Sequence, residues 1–443
     1  MAIETTFNPV RILEVELSAP IPAIAPIPEC DYRSAHVLVR LHHAPLGLIN
    51  LSLSEGGLTA DAFASGIWGD LADAINLHLA ADGLPPVTAL SASGIAGAEN
   101  PACRAAVDAV IQKADLVSII IPTHDRADAL PKCIDSLLAQ RYPNYEIIIV
   151  DDAPSSEATH ELYERAYRSN PKIRYIRDHR PNAAWARNAG LAASRSAYVA
   201  FVDDDVRVDA WWLAELMLGF QSGPDVVCVT TLLLPVEIET EAQYWFEQYG
   251  GFNKGYEPRL YDMKANRPES PIFPYSAGVF GTGGGVAFRA DWLRSVGGWD
   301  PDLPAGEDLS IFFESIMTGH QLAYAPGAIG WHRHRLGYDQ LRRQIYSYGW
   351  GLSAFITRSI VHDPRRLPGL LWRLPQGMAY MFSNKSRKNS RKSTDYPAEL
   401  TTLERRGLLL GPWKYISYRW RNRKLHQQAP SANYGDAGAQ HAS

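Results

Sequence analysis

The chain has 443 residues, 46% hydrophobic and 21% charged, with a formal net charge of −5. That length exceeds what one ordinary core supports, so two domains plus a tail are expected, and the composition is that of a globular protein. The acidic balance argues against a nucleic-acid binder, and with no apolar run near the ~20 residues of a spanning helix a soluble or membrane-peripheral protein is expected. Cys30, Cys103, Cys133 and Cys228 are scattered without a C-x-x-C, and read as reduced core thiols of a cytosolic protein, not as a disulfide or zinc framework. Met1 to Phe7 lacks the basic-then-apolar pattern of a signal peptide. A cytoplasmic location is expected, with the cytoplasmic face of the membrane as the alternative.

In chain order, the first unit spans residues 1–114. Val10–Leu17, His36–Leu41 and Leu46–Leu53 alternate as half-buried strands do. Leu71–Ala81 reads as an amphipathic helix, with Leu71, Ile75 and Leu79 on one face and Asp70 as its N-cap. This small α+β unit shows no chemical constellation. His42 and His43 read as strand neighbours pointing to opposite faces, which suits surface or packing roles better than a metal site. Ser91–Ala98 reads as a linker, followed by a short helix over Ala102–Lys113.

From Val117 the pattern changes. Buried strands are expected at Val117–Ile121 (stopped by Pro122), Tyr145–Val150, Ile173–Ile176 and Tyr198–Val202. Helices at Arg126–Gln140, Ser156–Arg168 and Ala184–Ser194 alternate with them. Such alternation defines right-handed βαβ units on a parallel sheet. Polar groups gather where the strands end: Thr123, His124 and Asp125; Asp151 and Asp152; and Asp203, Asp204 and Asp205. In a doubly wound sheet these ends line one crevice, where ligands bind. Three adjacent carboxylates repel one another, and a divalent cation removes that repulsion; Mg²⁺ or Mn²⁺ with phosphate oxygens suits such a site. Neither G-x-G-x-x-G nor G-x-x-x-x-G-K-[ST] is present, which argues against a dinucleotide enzyme or a P-loop ATPase. Taken singly, Asp125 is an N-cap candidate for the Arg126 helix.

Together these pieces resemble a family 2 inverting glycosyltransferase of the GT-A fold, over residues 117 to about 335. The matching motifs are Val117-Ser-Ile-Ile-Ile-Pro-Thr-His-Asp-Arg126, Val150-Asp-Asp152, Ala186-Arg-Asn-Ala-Gly190, Phe201-Val-Asp-Asp-Asp205, Gly297-Gly-Trp-Asp300 and Gly306-Glu-Asp-Leu309. His124-Asp125 stands where the family most often has Tyr-Asn, and Ala153-Pro154 replaces the usual Gly-Ser. The resemblance implies a nucleotide-diphosphate sugar donor, a UDP-sugar being favoured, cradled by Pro122, Thr123, Asp125, Arg126, Asp152, Arg187, Asp203 and Asp204. In that reading Asp152 accepts from the base imide, Asp204 faces ribose and metal, and Asp205 is the surest metal ligand.

Further along, Trp211–Phe220 reads as a helix, Val226–Thr231 as a strand, and residues 236–276 as an aromatic acceptor loop or an insertion. Gly281-Thr-Gly-Gly-Gly285 precedes a strand over Val286–Arg289; by resemblance Gly283, Gly284 and Trp299 meet the donor sugar and acceptor, and a plain tight turn is the alternative. Glu307-Asp308 opens a helix over Leu309–Met317, where acidic residues favour the dipole in any case. Inverting transfer also needs a base for the acceptor hydroxyl, and the resemblance assigns Asp308, with Glu307 orienting it or the acceptor. Trp331-His-Arg-His-Arg335 offers two histidines on one face; His332 best matches a metal ligand of the family, with His334, Arg333 and Arg335 the alternatives for metal or diphosphate.

The extension from 339 to 426 is helical, with Tyr and Trp interleaved among Arg and Lys, as suits an anionic membrane surface better than nucleic acid. A disordered tail over 427–443 is expected. The fold expected is thus α/β: a GT-A, Rossmann-like, mostly parallel sheet flanked by helices over 115–338, a small N-terminal α+β domain over 1–114 and a helical, basic extension. The function expected is metal-dependent inverting sugar transfer to a carbohydrate or lipid-linked hydroxyl in cell-surface polysaccharide or glycolipid assembly, with Mn²⁺ or Mg²⁺ as cofactor. A sugar-nucleotide nucleotidyltransferase and a non-catalytic carbohydrate-binding protein are the alternatives.

Overall fold

The computed structural model describes residues 7–96, 100–270, 272–383, 386, 388–390 and 392–428. In the first unit, β1 (Val10–Glu16), β2 (Ser34–Leu41) and β3 (Ala44–Ser52) form a sheet in that order, β1 parallel and β3 antiparallel to β2. Helix α1 (Ala60–Ala81) covers one face and buries Phe63, Ala64, Ile67, Ile75 and Leu79. It begins well before the expected Leu71: the Thr59 hydroxyl caps it by accepting the Ala62 N–H at 3.3 Å. Leu71 lies at φ −128° and kinks the helix, so Asp70 precedes a kink and is no N-cap. His42 and His43 sit in the two-residue turn between β2 and β3, both at positive φ, and not in a strand. Helix α2 (Ala102–Lys113) leads into the next domain; residues 97–99 of the expected linker lie outside the described residues.

The second domain contains β4 (Val117–Thr123), α3 (Leu130–Leu138), β5 (Tyr145–Asp152), α4 (Ala158–Leu162, extended by a π turn to Tyr167), β6 (Ile173–Asp178) and α5 (Ala183–Ala193). It continues with β7 (Tyr198–Val202), β8 (Val206–Val208), α6 (Trp212–Gly219), β9 (Val226–Pro235), α7 (Glu241–Tyr249), β10 (Arg259–Tyr261), β11 (Gly285–Arg289), α8 (Ala290–Ser295), α9 (Glu307–Met317) and β12 (Gln321–His332). The sheet order is β10-β12-β9-β11-β7-β4-β5-β6, with β8 paired to β12. Strands β7, β4, β5 and β6 are parallel, as are β9 and β12; β11 runs antiparallel between the two sets. Side chains alternate across the sheet. Ile120, Ile148, Val199 and Phe201 join one buried layer, and Ile119, Ile121, Ile147, Ile149 and Ala200 the other. Burial on both faces is why these strands read as unbroken apolar runs.

Pro122 does not stop β4. Pairing with β7 ends at Ile120, while pairing with β5 continues to Thr123, so the proline stands where one flank of the ladder has already opened. β12 likewise passes through Pro326-Gly327 by shifting register between Ala325 and Ile329, and carries on to His332. Within 236–276 a helix, α7, replaces the expected loop. Cys133 and Cys228 are buried, whereas Cys30 is exposed and Cys103 half-buried, so two of the thiols are not core residues.

The extension folds as α10 (Tyr338–His362), α11 (Leu367–Phe382) and α12 (Ala398–Gln428). Gln427 and Gln428 close α12; residues 429–443 of the expected tail, and Lys385, Arg387 and Arg391 of the basic run, lie outside the described residues.

Candidate active site

The C-terminal ends of β4, β5 and β7, the glycine run before β11, the N-terminus of α9 and the end of β12 open onto one cleft of about 1840 Å³. Ligand pockets are commonly about 300–1,000 Å³, so there is room for two substrates. Pro122, Thr123, Arg126, Asp152, Arg187, Asp203, Asp204, Asp205, Gly283, Gly284, Glu307, Asp308 and His332 all line it.

The three consecutive aspartates have three different environments. Asp203 accepts from Arg187 Nη2 at 2.9 Å. Asp204 is 5% exposed; its Oδ2 accepts from the Thr123 hydroxyl at 2.7 Å and its Oδ1 lies 2.9 Å from Arg126 Nη1. Burial, with Asp205 and Asp203 adding to it, pushes the Asp204 carboxyl up to about 7 despite Arg126. Asp205 Oδ2 accepts from the same Arg126 nitrogen at 2.8 Å, and its Oδ1 lies 3.5 Å from His332 Nε2. Burial opposes its charge, but His332, Arg126 and Arg335 hold Asp205 below the ordinary carboxylate range. Burial pulls His332 down to about 4, so its imidazole is neutral at pH 7 and able to ligate. Its Nδ1 lies 2.9 Å from His334 Nδ1, and His334 Nε2 is 2.8 Å from Glu247 of α7. His334 thus orients His332 from behind.

Opposite this corner, Gly306 at φ 85° leads into α9; a Cβ there would meet the Gly351 carbonyl at 2.7 Å. Glu307 Oε1 accepts from Arg187 Nη1 at 2.9 Å, so one buried guanidinium ties Asp203 to α9. Asp308 Oδ2 accepts the Gly283 N–H at 3.2 Å and Oδ1 accepts that of Leu309 at 2.8 Å. Burial raises both acidic groups above their ordinary values, which moves Asp308 towards the pKa of an effective general base. The glycines are needed for this approach: a Cβ on Gly283 would lie 3.1 Å from that of Asp308, and one on Gly284 3.0 Å from Asp203 Oδ2.

On the β5 side, Asp152 accepts the Asn182 N–H with both oxygens, at 3.0 and 3.2 Å. Asn182 itself, at φ 114°, caps α5 through its side chain. Ala153 adopts φ 41°, the conformation for which glycine is the usual residue at this point.

Two expected site residues stand apart. Asp125, at φ 50°, is exposed and turned to the Ser155 N–H at 3.0 Å and hydroxyl at 2.5 Å; α3 starts at Leu130, so it is no cap for that helix either. Trp299 is fully buried, its ring 5.2 Å from Phe201 and 4.6 Å below the Arg187 guanidinium, supporting the cleft floor without lining it. The sequence reading also missed the far wall. Tyr348, Gln344 and Ser347 of α10, Arg373 of α11 and Glu404 of α12 face the cleft, so the extension encloses the site.

Residues 118–294 match the sequence model of glycosyl transferase family 2. The chain is 29% identical over 229 residues to the pre-mycofactocin glycosyltransferase of Mycobacterium tuberculosis H37Rv, covering 52% of this chain and 44% of that protein. It is 27% identical over 235 residues to glycosyltransferase AglE of Haloferax volcanii, covering 52% of this chain and 70% of that one. Among solved structures, mannosyltransferase PcManGT of Pyrobaculum calidifontis, in complex with GDP-Man and Mn²⁺, aligns with a TM-score of 0.41 and 17% identity over 72% of this chain and 95% of that one. The matched segment, residues 118–294 of the second domain, is a family 2 glycosyltransferase segment. The chain spans less than half the length of the mycobacterial relative that it matches.

Proposed function

We propose that this chain is a metal-dependent inverting glycosyltransferase that moves a sugar from a nucleotide-diphosphate sugar, a UDP-sugar being favoured, to the hydroxyl of a carbohydrate or lipid-linked acceptor in cell-surface polysaccharide or glycolipid assembly. The observation that carries this reading is a half-buried carboxylate, Asp308, facing the same cleft as an aspartate pair already shaped around a positive charge. The donor set fits a hard divalent ion: Arg126 Nη1 lies within 2.9 Å of both Asp204 and Asp205, and the 3.5 Å between Asp205 Oδ1 and neutral His332 Nε2 is a ligand-to-ligand spacing more than a hydrogen bond. Bound there, Mn²⁺ or Mg²⁺ would act as Lewis acid towards the donor diphosphate.

In this reading Asp152 accepts from the base, while Thr123 and Arg126 hold Asp204 and Asp205 in position. Asp308 takes the acceptor proton as that oxygen bonds to the anomeric carbon and the bond to the diphosphate breaks. Glu307, clamped by Arg187, fixes the turn from which Asp308 projects. With Mn²⁺ present, a matching nucleotide sugar should raise Tm and release its nucleoside diphosphate. Asp308→Asn should keep that thermal shift while transfer falls by roughly 10²–10⁴-fold. Full transfer by the variant, or no nucleotide that stabilises the protein, would overturn the reading.

We also infer a membrane-facing role for the extension, as expected for a lipid-linked acceptor. Among the described residues no helix is long and apolar enough to cross a membrane. On α11 and α12, however, Trp372, Trp413 and Trp420 are 78%, 63% and 76% exposed, beside Leu371, Met378, Leu409 and Ile416. Arg406, Arg419 and Arg423 are exposed among them, the mixture favoured at an anionic interface.

A further inference from the structure

Away from the cleft, the first unit gathers His42, His78, Asp82 and Cys103, residues up to 61 positions apart. We propose that these four form a structural zinc site joining the N-terminal domain to the helix that enters the catalytic domain. Their donor atoms, His42 Nδ1, His78 Nε2, Asp82 Oδ2 and Cys103 Sγ, all lie within 4.8 Å of one another. A tetrahedral Zn²⁺, with bonds of about 2.0–2.2 Å to nitrogen and oxygen and about 2.3 Å to sulfur, spaces its ligand atoms about 3.3–3.6 Å apart. Here His42 Nδ1 is 3.3 Å from His78 Nε2, and Asp82 Oδ2 is 2.7, 3.1 and 3.2 Å from His42, His78 and Cys103. Cys103 Sγ to His78 Nε2 is 3.9 Å. Five of the six separations thus run from 2.7 to 3.9 Å, around those of a coordination sphere, and the nitrogen–sulfur donor set selects zinc over Mg²⁺ or Ca²⁺.

A metal-free hydrogen-bonded cluster accounts for these contacts less well. Two ring nitrogens and a thiol converge on one carboxylate oxygen, which offers about two acceptor sites, so the three donors compete.

The backbone around the cluster is held in an unusual state. His42 and His43 form the two-residue turn between β2 and β3 at φ 53° and 67°, where Asn-Gly is the favoured pair. Both carboxylate oxygens of Glu16 accept from this turn, at 2.9 Å from the N–H of each histidine. Strain retained at a turn and braced in this way points to a demand on the side chain it presents. Asp82 is braced as well: its Oδ1 accepts the Cys103 N–H at 2.8 Å, an outer-sphere contact of the kind that orients metal ligands. The four ligands come from the β2–β3 turn, the end of α1 and the start of α2. Arg104, next to Cys103, lies 3.7 Å over the Trp211 ring at the head of α6. A metal here therefore pins α2 where it docks on the catalytic domain.

The test uses the full chain. After incubation with ZnCl₂ and removal of free metal, one Zn²⁺ per chain is expected by elemental analysis. Co²⁺ in its place should give a thiolate-to-cobalt charge-transfer band. Cys103→Ala and His78→Ala should each lose the metal and the band, while Asp205→Asn in the catalytic cleft keeps both. Chelator-treated protein should regain a higher Tm when ZnCl₂ is added, a measurement that needs no variant. A chain that takes up no zinc and whose Tm does not respond to it overturns the proposal, as does zinc retained in both variants of the first unit.

Discussion

A single half-buried acid illustrates how much a residue's surroundings decide. Glu215 of α6 packs under the β12 bulge, where a Cβ on Gly327 would lie 2.5 Å from its Oε2. Its nearest cation, Arg104 Nη1, is 4.0 Å away. Burial raises its carboxyl to about 7, Asp209 adds to the shift, and Arg104 and Arg40 only partly oppose it. Below about pH 4.5 the group is protonated in folded and unfolded chains alike; between about 4.5 and 7 only the unfolded chain gives up its proton, so stability falls as pH rises. Glu215→Gln removes that loss. Its advantage over wild type should be about 3 kcal/mol at pH 8 and vanish near pH 4.5, read as ΔTm across the pH series; a pH-independent difference would refute the assignment. At this scale the sequence showed which types of residue matter, and it showed less well where they point. Asp203, Asp204 and Asp205 announce themselves because three like charges at the end of an apolar run have no other easy explanation. Asp125 turning to Ser155, Trp299 sinking beneath Arg187, and Asn182 holding Asp152 from a positive φ are set by contacts across the sheet that no local spacing encodes.

Among the elements, β4, β5 and β7 were legible because both faces are buried and the apolar run is unbroken. Helix α7 was not, because Tyr244, Trp245 and Phe246 blur the helical period; its signal was the capping box, in which Thr240 accepts from the Gln243 N–H and Gln243 accepts from that of Thr240. The pairing of α10 with α12 was equally hidden, since it depends on small residues and not on an apolar stripe. A Cβ on Gly407 would lie 2.4 Å from the Tyr346 carbonyl, and one on Gly411 1.9 Å from Ser353 Oγ and 2.5 Å from the Ala354 nitrogen. The two backbones meet only because those side chains are missing. Gly411→Val should therefore cost about 2–3 kcal/mol through overpacking, and because α10 and α12 both line the cleft it should also weaken nucleotide-sugar stabilisation. Gly369→Ala on α11, whose Cβ would meet only Arg373 at 3.6 Å, should stay within about 1 kcal/mol of wild type. Chemical denaturation of the pair distinguishes tight packing from a general intolerance of change in the extension.

For the molecule as a whole, the proposed function gives the extension two surfaces with different duties. Its inner face, through Tyr348, Arg373 and Glu404, closes the cleft. Its outer face leaves Trp372, Trp413 and Trp420 in solvent, where burying them at a lipid interface recovers apolar area that the fold itself does not use. Leu374, Met378, Phe382 and Leu409 are both exposed and part of the cleft lining, so the apolar surface runs continuously into the site. A lipid-linked acceptor lying in a membrane against α11 and α12 would meet that mouth with its headgroup. Binding to vesicles of phosphatidylcholine with phosphatidylglycerol should exceed binding to phosphatidylcholine alone, and should weaken as salt screens the arginines. Replacing Trp372, Trp413 and Trp420 together by Ala should abolish sedimentation with vesicles by at least roughly tenfold, given about 1.5 kcal/mol or more for each buried aromatic, and leave the Mn²⁺-dependent nucleotide-sugar shift in Tm unchanged. Equal binding to neutral and anionic vesicles, or binding indifferent to the three tryptophans, would detach the extension from the membrane and leave it as a wall of the cleft alone.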